Sequence, residues 1–125
     1  MAQQDIIIDR PPLEVPRTGS AMKLAVANVA KSFPLLSGES IDAVIDVSFD
    51  VADNELCVLL GPSGCGKSTI LRMVAGLEEP SAGSLMLDGQ EITGPGGDRG
   101  MVFQTYTSFD WLTVQENVEY GMRLN

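Results

Sequence analysis

The stretch GPSGCGKST, from Gly61 to Thr69, holds the strongest chemical signal in the sequence. Gly61, Gly66, Lys67 and Ser68 satisfy the G-x-x-x-x-G-K-[ST] spacing of a phosphate-binding loop. Glycines there let the backbone curl until successive N–H groups point at phosphate oxygens, an approach that side chains would obstruct. Lys67 brings a full positive charge toward the β- and γ-phosphates, and the Ser68 hydroxyl suits Mg²⁺. Pro62, Ser63, Gly64, Cys65 and Thr69 complete the cradle. At average residue frequencies a chance match in a chain of this length is on the order of half a per cent, so the loop is read as a site for a nucleoside triphosphate.

Such a loop works only between a strand and a helix, and the flanking residues supply both patterns. ELCVLL (Glu55 to Leu60) is a short apolar run ending at Gly61, which suits a central strand covered on both faces. After the loop, Ile70, Leu71, Val74 and Leu77 recur at helical spacing over Ser68 to Ala75, and Gly76 stands where a left-handed C-terminal residue is favoured. The helix would offer its N-terminal dipole to the same anion.

Upstream, MKLAVANV from Met22 alternates, with Leu24, Val26 and Asn28 on one side. In AVIDVSFDV the set Val44, Asp46, Ser48 and Asp50 opposes Ile45, Val47, Phe49 and Val51, so two half-buried antiparallel strands are expected. Downstream, Asp88-Gly89 between Leu85–Leu87 and Gln90–Ile92 suits a type I′ hairpin turn. TGPGGDRG (Thr93 to Gly100) reads as a loop and Met101–Phe103 as a further short buried strand with Gln104 at its end. Thr113 with Glu116 reads as a capping box opening a helix that contains Val118 and Met122. Residues 1–21, with Pro11, Pro12 and Pro16 and an Ile6–Ile8 cluster, read as a mobile tail holding at most a short edge strand.

Composition narrows the function classes. With 125 residues and 44% apolar content the chain is one globular domain or part of one. A net charge of −9, with only eight scattered Lys and Arg, argues against a nucleic-acid partner. No apolar run approaches the roughly 20 residues of a membrane span, and no signal-peptide pattern opens the chain, so a cytoplasmic chain is expected. Cys57 and Cys65 form no CxxC pair and the sequence has no His, which removes zinc and haem readings and leaves reduced thiols.

The run from GPSGCGKSTILRMVAGLEEPSAGSLMLDGQEITGPGGDRGMVFQ onward resembles the first half of an ABC transporter ATP-binding subunit. The similarity runs from about Leu24 to Asn125 and is strongest to the importers of nitrate, sulfonates and taurine. The resemblance implies an α/β P-loop fold of the ABC ATPase type: an antiparallel β subdomain, a core parallel sheet, and an incomplete domain over residues 22–125. It makes Gly61–Thr69 the Walker A loop and Gln104 the Q-loop glutamine, near Mg²⁺ and the attacking water, with catalytic roles for Lys67 and Gln104 and metal roles for Ser68 and Gln104. It places Phe33, in VAKSFP, where an aromatic ring stacks on adenine; from the residues alone Phe33 reads as ordinary core and Gln104 as an ordinary polar residue. ATP and Mg²⁺ are the implied cofactors. A twin ATP-binding subunit and membrane-spanning permeases are the implied partners, at the cytoplasmic face of the inner membrane, in uptake of a small anion.

The sequence departs from the family pattern at Asp53-Asn54, where Gly commonly precedes Glu55, and at Asp110, where Pro is common. LSGES (Leu36 to Ser40) is similar to the family signature but precedes the Walker A loop, so it reads as a connection between strands. After Gln104 there is no second signature, no apolar run ending in Asp-Glu and no His. The 125 residues are therefore expected to bind ATP with negligible turnover and to expose apolar edges, as a fragment would. A GTPase is disfavoured because no [NT]-K-x-D occurs; a non-catalytic nucleotide-binding or regulatory module is the standing alternative. The transported substrate is not legible here.

Overall fold

The computed structural model describes residues 7–9, in backbone only, and 21–124. The remainder of the expected tail, including Ile6, lies outside the described residues. In chain order the elements are β1 (Ile7–Asp9), β2 (Met22–Pro34), β3 (Ser40–Ala52), β4 (Val58–Leu60), α1 (Lys67–Val74), β5 (Ala82–Leu87), β6 (Gln90–Glu91) and α2 (Val114–Arg123).

The scaffold is a four-stranded antiparallel sheet in the order β3-β2-β5-β6. One face carries Val26, Val29, Val44, Phe49 and Leu85, which close a core with Ile70 and Met73 of α1. Both long strands form as the alternation predicts, yet the alternation breaks phase in each. Between Val26↔Phe49 and Val29↔Val47, β2 has one residue more than β3; between Val29↔Val47 and Lys31↔Val44 the surplus is on β3. These two bulges cancel, so the register returns at Lys31↔Val44, before a further shift on β3 between there and Ser32↔Asp42.

The bulged residues are Asn28 (φ 49°) and Asp46 (φ 46°), types that tolerate the left-handed region. They face each other: Asn28 Nδ2 donates to Asp46 Oδ1 at 2.9 Å, and the Asn28 N–H donates to Ser48 Oγ at 2.8 Å. The bulges correct the expected faces. Asn28 is turned out and Val29 is fully buried, while Val44 crosses to the core side and Ile45 stands half exposed. Gly83 on β5 (φ 82°) admits the bulged backbone, since a Cβ there would collide with the carbonyls of Ala27 and Asn28.

Local signals elsewhere are realised. LSGES forms the connection between β2 and β3, with Leu35 N–H donating to Glu39 O at 2.7 Å. Asp88 (φ 49°) and Gly89 (φ 75°) make the β5–β6 turn. Helix α1 ends in a Schellman arrangement, Leu77 N–H to Arg72 O at 2.9 Å and Gly76 N–H to Met73 O at 3.0 Å. Its buried residues are Ile70 and Met73, one helical turn apart, whereas Leu71 and Leu77 are half exposed; the face that meets the sheet is rotated from the one the apolar spacing favoured.

Two expected strands differ. The run before the loop forms only Val58–Leu60, with Cys57 and Leu59 against the core and Val58 and Leu60 exposed, so it is covered on one face only. Its ladder is antiparallel to β1, with Ile7↔Leu60, Ile8↔Leu59 and Asp9↔Val58. Met101–Phe103 is irregular and Val102 is 97% exposed. A short parallel strand is held by its neighbour's ladder, and among the described residues none runs beside this segment. The α/β class and the antiparallel subdomain stand; of the expected parallel core only β4 and α1 form, and no parallel ladder occurs among the described residues.

Asn28→Ala is expected to destabilise the chain by about 1–2 kcal/mol, from positive-φ strain and the lost bond to Asp46. Asn28→Gly, free of that strain, should cost less, as read by urea denaturation. Equal costs would show that the left-handed backbone is not what the asparagine is there to accommodate.

Candidate nucleotide-binding site

The loop from Gly61 to Gly66 leaves β4 and turns into α1 at its N-cap, Gly66, whose φ is 99°. This residue is the anchor. A Cβ at Gly66 would run into the Ala43 carbonyl oxygen and lie 3.0 Å from Val44 Cγ2, so the loop seats directly on β3. The first turn of α1 has no side-chain cap and no acidic residue, which leaves its amides and dipole uncompensated. Gly64, by contrast, has nothing within 4 Å of where a Cβ would be, so that side of the loop is open.

Lys67 folds back over the loop. Its Nζ donates to Gly61 O at 2.7 Å and to Pro62 O at 2.6 Å, and lies 3.4 Å from the buried Cys65 Sγ. Of the loop amides, that of Cys65 turns inward to Pro62 O at 3.4 Å. Ser68 is exposed and Thr69 half-buried on the first turn of α1; Pro62 and Ser63 are exposed. An ammonium held by neutral carbonyls beside an open, uncompensated helix N-terminus is suited to an anion, because a phosphate oxygen is the stronger acceptor.

The residues therefore fit a phosphate chain. They do not by themselves form a metal cage: among the described residues no group of three or more His, Cys, Asp or Glu could hold a metal ion. A Mg²⁺ there would be held by Ser68 and by the phosphates, a usual arrangement for this ion.

Phe33 sits near the end of β2, about one-third exposed, opposite Ile41 of β3. Ala43, against which Gly66 packs, is two residues along the same strand from Ile41, so the ring and the loop share one end of the sheet. Gln104 is not brought to the loop by any contact among the described residues: it lies exposed in the irregular stretch after Phe103.

Three residues that the sequence reading passed over organise the surroundings. Lys31 places Nζ 5.1 Å from the Phe33 ring centre and 2.6 Å from Glu78 Oε1; the signal for the first contact was the two-residue spacing that puts both side chains on one strand face. Arg99 donates to Asp98 Oδ1 and Oδ2 at 3.0 and 2.8 Å and to the Gly94 carbonyl, which abuts Gly76 at the far end of α1. Its Nε is buried without a partner among the described residues. Asn117 accepts from Phe109 N–H at 2.8 Å and donates through Nδ2 to Phe109 O, Leu112 O and Thr113 O at 3.0–3.2 Å. Phe109 also packs on Trp111 and Tyr120, so the segment carrying Asp110 is a folded turn fixed to α2. Nothing local in the sequence marks the Arg99 and Asn117 contacts.

Comparison with known proteins decides the family. The sequence profile described as ABC transporter matches residues 44–125. The chain belongs to the ABC transporter family. A taurine import ATP-binding protein, TauB, of Jannaschia sp. is 46% identical over 81% of this ABC chain and 38% of its own length. The nitrate import ATP-binding protein NrtD of Synechocystis sp. is 44% identical over 82% and 38%. Among solved structures, the dimeric ATP-binding cassette MJ0796, in a post-hydrolysis state bound to ADP and Pi, superimposes with a TM-score of 0.68 at 27% identity, covering 81% of this chain and 47% of that one. The ABC chain thus spans less than two fifths of the length of these curated relatives.

The capping box of α2 gives the ABC chain a measurable pH response. The Thr113 N–H, at 2.8 Å, and the Thr113 hydroxyl, at 2.9 Å, hold the exposed Glu116 carboxyl below its ordinary 4.5. A depressed carboxylate pKa contributes stability that is complete above the ordinary value and is lost as pH falls through the lowered one. Amide exchange across α2 should accelerate in that acid window, and Glu116→Gln should reduce the pH dependence, leaving the share of Glu119, whose carboxyl Gln115 and Arg123 hold below its ordinary value. An unchanged acid response in the glutamine variant would place its origin elsewhere.

Proposed function

We propose that residues 22–125 are the N-terminal portion of the nucleotide-binding domain of an ABC importer's ATP-binding subunit, and that Gly61–Thr69 holds the phosphates of Mg-ATP. The observation that supports this best is Lys67 Nζ held at 2.7 and 2.6 Å by two carbonyls of its own loop, beside the open side of Gly64 and the uncapped start of α1.

When ATP enters, the Lys67 ammonium exchanges its carbonyl acceptors for phosphate oxygens and the loop amides take the remainder. Ser68, with Gln104 from the segment after Phe103, would hold a Mg²⁺, which would supply neutralisation of phosphate charge. Phe33 provides a flat apolar face for adenine. Hydrolysis is the proposed activity of the whole subunit. Among the described residues no carboxylate hydrogen-bonds to Lys67 or Ser68, so the residues that hold the nucleotide do not also supply a base. For the chain by itself, binding without turnover is the proposed behaviour, and this observation is also what favours the non-catalytic module as a second reading.

For the full-length protein we propose pairing with a second ATP-binding subunit and with membrane-spanning permeases at the cytoplasmic face of the inner membrane, driving uptake of a small anion. No helix among the described residues is long and apolar enough to cross a membrane, consistent with a peripheral role. Taurine and nitrate importers resemble the chain to nearly the same extent, so this portion does not discriminate between their substrates.

Titration calorimetry tests the binding step. The chain should bind Mg-ATP, and Lys67→Ala should weaken binding about tenfold or more, the usual effect of removing a charged hydrogen bond. No heat of association in folded protein would overturn the reading. Mg²⁺-dependent phosphate release by the isolated chain, abolished in Lys67→Ala, would overturn the assignment of binding without turnover.

A further inference from the structure

The Lys31 ammonium belongs to no part of the phosphate cradle, yet it makes three contacts at once. Its Nζ pairs with Glu78 Oε1 at 2.6 Å, donates to Glu79 O at 2.7 Å and lies 5.1 Å from the Phe33 ring centre. The Lys31 and Glu78 side chains are only 13% and 28% exposed, so solvent screens the pair less than an ordinary surface ion pair. A cation near a ring attracts its electron-rich face, the more so when desolvated, and three simultaneous contacts leave the ammonium little freedom to move away. Phe33 remains 36% exposed, which keeps ring surface available to a second flat group.

Glu78 and Glu79 follow the C-terminal turn of α1 at Gly76 and Leu77, and the opposite end of α1 is where the phosphate loop ends, at Gly66. One side chain of β2 therefore joins an aromatic platform to the helix whose N-terminus faces the phosphates. We propose that Lys31 and Glu78 are a positioning pair for base recognition: they fix the Phe33 ring and tie its place to that of α1, setting the distance between the base platform and the phosphate cradle. This rests on the reading that Phe33 stacks on the base. Neither residue touches the nucleotide; both act through Phe33.

The consequence is an effect confined to ligands that carry a base. Lys31→Met keeps the apolar stem and removes the charge; Glu78→Gln keeps the shape and sits in a turn outside the sheet, so a folding defect in the first variant leaves the second informative. Calorimetry on the full chain compares Mg-ATP with magnesium tripolyphosphate, which offers a phosphate chain and no base. Both variants should bind Mg-ATP about three- to tenfold more weakly, with tripolyphosphate affinity unchanged. The double variant should be no weaker than the more affected single one, as for two members of one unit. Parallel losses for both ligands, or no loss for either, would overturn the proposal. Phe33→Ala separates the layers: unchanged Mg-ATP affinity there would sink the platform reading itself. A loss specific to Mg-ATP in Phe33→Ala, with Lys31→Met and Glu78→Gln unaffected, would overturn only the positioning pair.

Discussion

The site depends on how closely the phosphate loop approaches the sheet at one residue. Gly66 rests against the Ala43 carbonyl with no room for a side chain, and its left-handed φ of 99° turns the chain from the loop into α1. Because that turn is held by the sheet, the first amides of α1 and the Lys67 side chain are held with it. Ile70 and Met73, buried with Val29 and Leu85, fix the helix further along the same face. The cradle is therefore a property of the β3–α1 contact as much as of the loop sequence.

That contact requires β3 to present Ala43 and Val44 at the correct phase, and the paired bulges achieve this. Without the surplus residue near Asp46, Val44 would point away from the core side on which Phe49 lies. The matching surplus at Asn28 offsets it, so the register of Val26↔Phe49 returns at Lys31↔Val44. A bond between two exposed polar residues, Asn28 and Asp46, thus links strand register to site geometry.

What the sequence disclosed follows the range of the forces involved. The phosphate loop, the Asp88-Gly89 turn, the Gly76 cap and the Thr113–Glu116 box are each decided within a few residues, and each is recognisable from residue types alone. The phase of the long strands was not, because a bulge at Asn or Asp is one option among many until a partner strand answers it. β4 and Met101–Phe103 were read as buried strands from apolar content, yet burial of a strand is conferred by neighbours, and β4 pairs with the distant Ile7–Asp9 instead. Lys31 on Glu78 and the Gly94 carbonyl against Gly76 are tertiary contacts between separate stretches, which spacing along one segment does not encode. Family resemblance added roles for Phe33 and Gln104 that their residue types could not; the sheet brings Phe33 toward the loop, and no contact does so for Gln104.

The central claim is that main-chain amides of the loop, with the Lys67 ammonium, take the phosphates of a nucleotide. Backbone amide resonances of the isotopically labelled chain, followed while Mg-ATP is added, test it most directly. The largest proton shifts are expected, downfield, at Gly64, Gly66, Lys67 and Ser68, as their N–H groups acquire charged acceptors. Saturating Mg-ATP that leaves those resonances in place, or moves mainly residues elsewhere in the chain, would contradict it.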